Sequence, residues 1–596
     1  MLINDRDQKN FQWAAEILHK ASGGTEDERT DSWNVLAEAF TLVKDWPSWS
    51  QNCRITGTKE TVESSKGAEL HTVTNTSFTR RGTMNEEDEG TKKAAYNGRT
   101  MAVAVSIAAA APEVNHPVSL SFDGEGLRIE GDLNAAKNSK NTKTVCCIPV
   151  PAGKGPDPTL LPIDNLYILN AFYHERTRMI HIHCVLPEDR TVEESPADIY
   201  KFIYSVDDDK KEDAIAFCEE LVKYAYSDIK FGKKLLVLIN PFGGQGKAKE
   251  IFEYNVRPIF ESAKCDIEVR YTEHQGHALQ IAQDLDIHAY DAIVTVSGDG
   301  VIHEVINGFL KRPDAREAMK QVSLGIIPGG TGNSLIISLL GEKRGFDPVY
   351  TALQVIKGKS MALDLCSVVY DDHRYFSFLS QNYGITAYAD LGTEHMRWMG
   401  DTRAVVGLMQ EIFSRRSYKI EAAVQVVESD KSKIQRDYVS AYANENRVPV
   451  NDLDGQVSDT IPDLSQPVPK EWMIIDDDIS FFLASKVPLL SRGMLSHPCA
   501  LPNDGQIDLL LIRGSPSISK QLDVFTKVET GNHLNSDIVE YYKIRAFRLT
   551  PVLKPGQKAY VAIDGEHAPC KPFQVEVHPR LASVLTISPS FIRTNV

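Results

Sequence analysis

The sequence predicts an α/β domain built on a mostly parallel sheet, followed by a largely antiparallel β-sandwich and preceded by a small β-rich module. Three observations carry this. From Lys233 onward, continuous apolar runs (LLVLIN, AIVTVSG, LGIIP) alternate with helical patterns, as strands buried on both faces of a parallel sheet do. Each of those runs ends in a glycine-rich turn that opens a helix. From about Ala362 to the C-terminus the texture changes to short strands separated by polar turns.

At 596 residues the chain exceeds the roughly 250 to 300 residues at which single cores stop growing, so two or three domains are expected. Residues 1–100 show one helical pattern around Trp33 to Val43 amid Ser, Thr, Gly and Glu-rich sequence, and read as a largely disordered extension. Residues 101–230 offer short β-type runs (PVSLSF, TVCCIPV, NLYILNAFY, MIHIHCV, YKFIYSV) and then an amphipathic helix from Lys211 to Tyr226. That order of elements is PH-like, and equally that of any small β-rich domain with a closing helix. Residues 231–360 form the α/β domain and 361–596 the sandwich, interrupted by an acidic, proline-containing stretch, 444–470, expected to be a solvent loop.

The formal net charge of -16 argues against a nucleic-acid partner, which would require dense Lys and Arg. Nine scattered cysteines with no C-x-x-C pair fit a reducing compartment. The charged N-terminus lacks the apolar stretch of a secretory signal, the run MAVAVSIAAAAP is too short to span a bilayer, and Gln321 to Gly341 is broken by PGGTG. A cytoplasmic protein that touches membranes only peripherally is expected.

The chemistry concentrates in three turns. Asn240 to Lys247 (NPFGGQGK) presents backbone amides at a helix N-terminus, where the dipole favours anions. Its spacing is not that of a P-loop, and Ala248 stands where a Mg-binding hydroxyl would be needed. Alone it reads equally well as a tight strand-to-helix turn. The second turn, Ser297-Gly298-Asp299-Gly300, sets one carboxylate between two glycines, where it can accept the proton of an attacking alcohol or simply cap the helix. The third, PGGTGN from Pro328 to Asn333, adds Thr331 and Asn333 as polar side chains. One such turn is common; three around a single carboxylate suit phosphoryl transfer, which needs mainly positioning and charge neutralisation.

NPFGGQGKA, SGDGVIHEVING and PGGTGN, in this order and spacing, resemble the signature of the diacylglycerol kinase catalytic fold, and specifically of the sphingosine or sphingoid long-chain-base kinases. The resemblance runs from about Lys233 to the C-terminus and includes TEHQGHA from Thr272, HPCALPNDGQIDLLLI from His497 and AIDGEHAPCKPFQVEVHP from Ala562. It implies an ATP-binding catalytic domain over 231–360 and a lipid-binding sandwich over 361–596. Asn240, Pro241, Phe242, Thr272, Glu273, His274, Gln275, Gly276, Gly330, Thr331 and Gly332 would surround the nucleotide, and Asp299 would be the general base within the substrate-binding turn Ser297–Gly300. Glu304 would sit near the phosphates or Mg2+, and Asp564, Gly565 and Glu566 would approach the nucleotide from the second domain. Asp390 would meet the base's ammonium or hydroxyl, and Arg397 and Arg403 would meet phosphate. ATP and Mg2+ are the implied cofactors, with no protein cluster dedicated to the metal. The segment from Arg403 to Lys419 has an amphipathic pattern with a basic end; it suits an anionic membrane or a calmodulin-like partner, as well as an ordinary core-facing helix.

The expected activity is transfer of the γ-phosphate of ATP to the primary hydroxyl of sphingosine, dihydrosphingosine or phytosphingosine. The partners implied are the sphingoid base, a peripheral membrane surface, a calmodulin-like protein and a second copy of the chain, with no nucleic acid. Two alternatives stay open: the same fold acting on diacylglycerol, ceramide or NAD, and a non-catalytic membrane-binding scaffold. Phe242 departs from the family pattern, where a basic or small residue is frequent, so no cationic help is expected there.

Overall fold

The computed structural model describes residues 105–596 apart from 111–116, 125, 132–143, 146–147, 150–161, 189–194, 245, 331, 372, 394–395, 397–401 and 444–455. The extension 1–100, Thr331 and Arg397 therefore lie outside the described residues.

The first sheet comprises β1 (Val105–Ala110), β2 (Pro117–Asp123), β3 (Gly126–Glu130), β4 (Ile168–His174), β5 (Met179–Pro187) and β6 (Ala197–Ser205), and α1 (Lys211–Ala225) follows it. The strands are antiparallel in the order β3-β2-β1-β6-β5-β4. In β5, buried Ile180 and Ile182 alternate with His181 and His183, so one face is core and the other polar.

This sheet is not a separately packed unit. Its core residues run on into one face of the α/β domain, through Leu235, Val237 and Ile239. A buried lysine secures the join. Lys357 Nζ donates to the carbonyls of Asn165 and Ala225 at 3.2 and 2.8 Å and lies 3.5 Å from the centre of the Tyr226 ring. Within the α/β domain, buried Lys233 Nζ donates to the carbonyls of Val355, Ile356 and Gly358.

The α/β domain holds β7 (Lys234–Ile239), β8 (Asp266–Tyr271), α2 (His277–Gln283), β9 (Ala292–Ser297), α3 (Asp299–Leu310), α4 (Ala315–Gln321), β10 (Ser323–Pro328), α5 (Ser334–Gly345) and α6 (Pro348–Lys357). Its four strands are parallel, in the order β8-β7-β9-β10. Leu235 and Val237 face one core while Leu236 and Leu238 face another, which is why the strand sequence is continuously apolar. The order reverses between β7 and β9, and a crevice beyond the strand C-termini at such a switch point is where open α/β sheets bind ligands.

The sandwich comprises β11 (Lys359–Val369), β12 (Arg374–Ser377), β13 (Ser380–Gly384), α7 (Thr402–Phe413), β14 (Tyr418–Glu428), α8 (Lys431–Ala443), β15 (Met473–Ser485), β16 (Ile507–Arg513), α9 (Ile518–Thr526), β17 (Glu540–Val552), β18 (Val561–Ile563), β19 (Glu566–Ala568) and β20 (Phe573–Thr586). Its strand pairs are antiparallel. The two sheets are continuous: β20 pairs with β11 and β17, and its Val584 pairs in parallel with Leu324 of β10. The C-terminal strand thus returns to the α/β core, where Leu581, Ala582 and Val584 are buried beside Leu324.

From Gln456 the acidic stretch is tied down. Asp459 accepts from Arg374 at 2.8 and 3.0 Å and pairs with His578 Nε2 at 3.1 Å. Arg548 donates to the carbonyls of Pro462, Asp463 and Gln466. Its composition suggested a solvent loop because the partners that hold it lie more than 80 residues away in sequence. No helix among the described residues is long and apolar enough to cross a membrane.

Candidate active site

The three glycine turns leave the C-terminal ends of β7, β9 and β10 and touch one another. A Cβ placed on Gly330 would lie 2.7 Å from Gly298 N, and one on Gly244 would lie 2.8 Å from Gly330 Cα, so only glycine allows this approach. The Asp299 amide donates to the Gly332 carbonyl at 3.0 Å, and Gly329 donates to Ser297 at 2.9 Å. In the first turn the Phe242 amide donates to Asn240 Oδ1 at 3.0 Å, while the Phe242 ring is 77% exposed at the mouth. In the third, Asn333 Nδ2 donates to the Gly330 carbonyl at 2.8 Å; its Oδ1 is buried without a donor among the described residues.

Asp299 is the first residue of α3 and is buried. Its carboxylate takes its hydrogen bonds from a different helix. Oδ2 accepts the Ser334 amide at 2.6 Å and Oδ1 the Leu335 amide at 3.5 Å, both from the N-terminus of α5. Burial pushes its pKa up to about 6; the two amides oppose that shift and the charge of Asp564 adds to it.

A polar stripe at spacing four runs along the otherwise apolar α3: Asp299, His303, Asn307, with Glu304 beside it. Glu304 accepts from the amides of Gly276 and Ala278 at 2.9 and 3.1 Å. It caps α2 and fixes the Thr272–Gly276 turn, where the Thr272 amide is bound to the Ile239 carbonyl, the Glu273 amide to His277 Nδ1, and the His274 and His277 rings stack. Gln275 contributes its carbonyl to His274 Nδ1. Capping takes one acceptor site on each oxygen of Glu304.

His303 Nδ1 lies 2.9 Å from Asp564 Oδ2. Asp564, in a left-handed backbone conformation, also accepts from Ser377 Oγ and from the amides of Phe378, Leu379 and Ser380 at 2.6 to 3.1 Å. Five donors fill this carboxylate, leaving it no capacity to ligate a nucleotide or ion. Asn307 reinforces the same join, accepting the Phe376 amide and donating to its carbonyl. The exposed carboxylate of this turn is that of Glu566, whose Oε1 stands 3.7 Å from where a Cβ on Gly300 would be. A Cβ on Gly565 would lie 3.9 Å from Asp390 Oδ2, so Asp390 stands behind the same turn. Arg403, expected at phosphate, donates to the Asp390 carbonyl at 2.8 Å and pairs with its carboxylate at 3.7 Å.

A model of the diacylglycerol kinase catalytic domain matches residues 234–368, and one described as the YegS C-terminal NAD kinase beta sandwich-like domain matches 481–586. Sphingoid long chain base kinase 4 of Schizosaccharomyces pombe is 36% identical over 376 residues, which are 63% of this chain and 80% of that protein. The chain belongs to the sphingoid long-chain-base kinase family. Sphingoid long chain base kinase 5 of Saccharomyces cerevisiae is 31% identical over 444 residues, covering 65% of this chain and 64% of its own length. Sphingosine kinase 1 of Arabidopsis thaliana is 32% identical over 343 residues, covering 56% and 68%. As a member of the sphingoid long-chain-base kinases this chain is an ATP-dependent lipid kinase with a mixed-sheet catalytic domain and an antiparallel sandwich.

Asp459, Glu576 and His578 form a metal-like cluster among the described residues. Their atoms are already bonded to Arg374, Thr460, Ile461 and the Gln456 carbonyl. The polar cavity of about 590 Å3 beside them, lined by Arg545, Asn503 and Arg580 among others, contains no residue of the glycine turns. Neither belongs to the kinase site. Sequence reasoning missed the structural parts of His303 and Asn307, and the loop 377–380; the first two were findable as a polar stripe at spacing four.

Proposed function

We propose that the chain transfers the γ-phosphate of ATP to the primary hydroxyl of a sphingoid base (sphingosine, dihydrosphingosine or phytosphingosine), giving the 1-phosphate and ADP. Asp299 accepts the hydroxyl proton as the oxygen attacks the γ-phosphorus. The nucleotide lies along Asn240–Phe242, Thr272–Gly276 and Gly330–Gly332, where backbone amides and helix N-termini favour its phosphates. Asp564 does not fit a protein-held Mg2+, since five donors fill its carboxylate, and Mg2+ is taken to arrive on the phosphates of ATP.

One observation carries the acceptor class: the carboxylates Asp390, Glu566 and Asp299 follow one another around Gly565 and Gly300. A cationic headgroup gains from Asp390, whereas ceramide and diacylglycerol carry no charge for it to meet. Radiolabelled ATP with a panel of sphingosine, dihydrosphingosine, phytosphingosine, ceramide and diacylglycerol tests this. Asp390→Asn is expected to lose about tenfold or more in kcat/KM for the sphingoid bases, by the loss of a charge-assisted contact. Equal turnover of the neutral lipids by the unaltered protein overturns the assignment.

Peripheral membrane docking falls to α7, which is half-exposed and carries Arg415 and Arg416 at its end. A calmodulin-like partner would use the same face. Functional divisions are assigned to 231–360 as the catalytic domain and to 361–596 as the lipid-binding domain; the six antiparallel strands and closing helix of 101–230 share their core with the catalytic domain and are not assigned as a PH-like module.

A further inference from the structure

We propose that His303 is a positioning residue: its pairing with Asp564 latches the sandwich to α3 and thereby holds Glu566 beside Gly300, next to the general base, with Asp390 behind it. The inference rests on the reading of Asp299 as that base.

The geometry has three parts. His303 and Asp299 are one helical turn apart on α3, so a force on one is felt at the other. Asp564 is locked by the four donors of residues 377–380 and can move only with the sandwich. The next two residues beyond it, Gly565 and Glu566, are those that adjoin Asp390 and Gly300. The latch therefore connects the base on one domain with the proposed headgroup carboxylate on the other through a chain of direct neighbours.

The surroundings favour the charged imidazole. His303 faces Asp564 at 2.9 Å, the edge of the Tyr375 ring at 5.9 Å, and the carboxylates of Glu566 and Glu304, with Asp299 on its own helix. Burial works to lower its pKa, but the hydrogen bond and charge of Asp564, with Glu566 and Glu304, win and raise it. A raised imidazole keeps the ion pair at neutral pH and weakens it to a neutral hydrogen bond as pH rises through the raised value.

The test is kcat/KM for sphingosine and ATP between pH 6 and 9 in the full-length protein, for wild type, His303→Gln and Asp564→Asn. Taking the ratio of wild type to variant cancels titration of the lipid amine, and because the charge of Asp564 also acts on Asp299 the ratios are compared at pH 7 and above, where Asp299 is mostly ionised in each protein. Glutamine keeps a donor but carries no charge, so the ratio is expected to be about 10- to 100-fold near pH 7, the range for a misplaced catalytic constellation, and to fall toward one in alkali. Asp564→Asn should show the same pH dependence, and the double variant should lose no more than either single one. A ratio independent of pH, or additive losses in the double variant, overturns the latch. Should His303→Gln fail to fold, the Asp564→Asn profile decides alone. A failure of the Asp299 reading is distinguishable: Asp299→Asn would then turn over normally whatever these ratios show.

Discussion

Asp299 illustrates how a single residue is tuned. Taking its carboxyl out of water raises its pKa to about 6, and two amides of α5 keep it from rising further. At neutral pH it is mostly ionised yet close to its midpoint, where a general base works well. Because the folded pKa is raised, the ionised base is lost as pH falls through about 6. The acid limb of kcat/KM is expected there, well above the midpoint of a free aspartate. Asp299→Asn should retain its circular dichroism spectrum and nucleotide binding while losing about 10² to 10⁴ in rate; undiminished turnover would sink the assignment. The importance of this carboxylate was legible in SGDG, since one acid between two glycines after an apolar strand is locally readable. Its stabiliser was not: the local pattern points to its own helix, and the actual donors come from Ser334 and Leu335, brought in by the neighbouring strand.

At the scale of elements, the sandwich is fastened by a buried charge network of which only Asp504 and Asp508 lie in a motif noted in the sequence. Lys486 Nζ pairs with Asp364 at 2.8 Å and Asp504 at 3.1 Å; Lys543 Nζ pairs with Asp504 at 2.9 Å and Asp508 at 2.7 Å; Tyr541 donates to Asp508 at 2.6 Å. These groups tie β11, β15, β16 and β17 to the 501–506 loop. Removing one partner strands an opposite charge in the interior, so Lys486→Met is expected to cost about 3 to 5 kcal/mol, read by denaturant unfolding. A loss below about 1 kcal/mol would mean the network is dispensable. The strand β20 shows a different limit: its alternating sequence announces a strand, but nothing in it says that its first half serves the sandwich and its last residues serve the α/β core.

For the whole molecule, the join between the first sheet and the catalytic domain depends on Lys357, whose buried amine is lowered to about 7. An unfolded lysine stays protonated to about 10.5, so between about 7 and 10 the unfolded chain binds the extra proton and stability rises with pH. The gap in Tm between wild type and Lys357→Met should therefore widen from pH 7 to pH 9. A gap that stays constant would show that this amine does not titrate on unfolding. The sequence by itself determined the parallel sheet, the three turns, the carboxylate between two glycines and the family, because strand burial and glycine turns are written in contiguous residues. Only the tertiary structure decided that Glu304 caps a helix, that Asp564 is filled by the 377–380 loop, that Arg403 rests on Asp390, and that the first sheet shares its core with the catalytic domain. Each of those is a contact between different elements of the chain, and a carboxylate's or guanidinium's partner is fixed by which donors and acceptors the packed elements bring within about 3 Å.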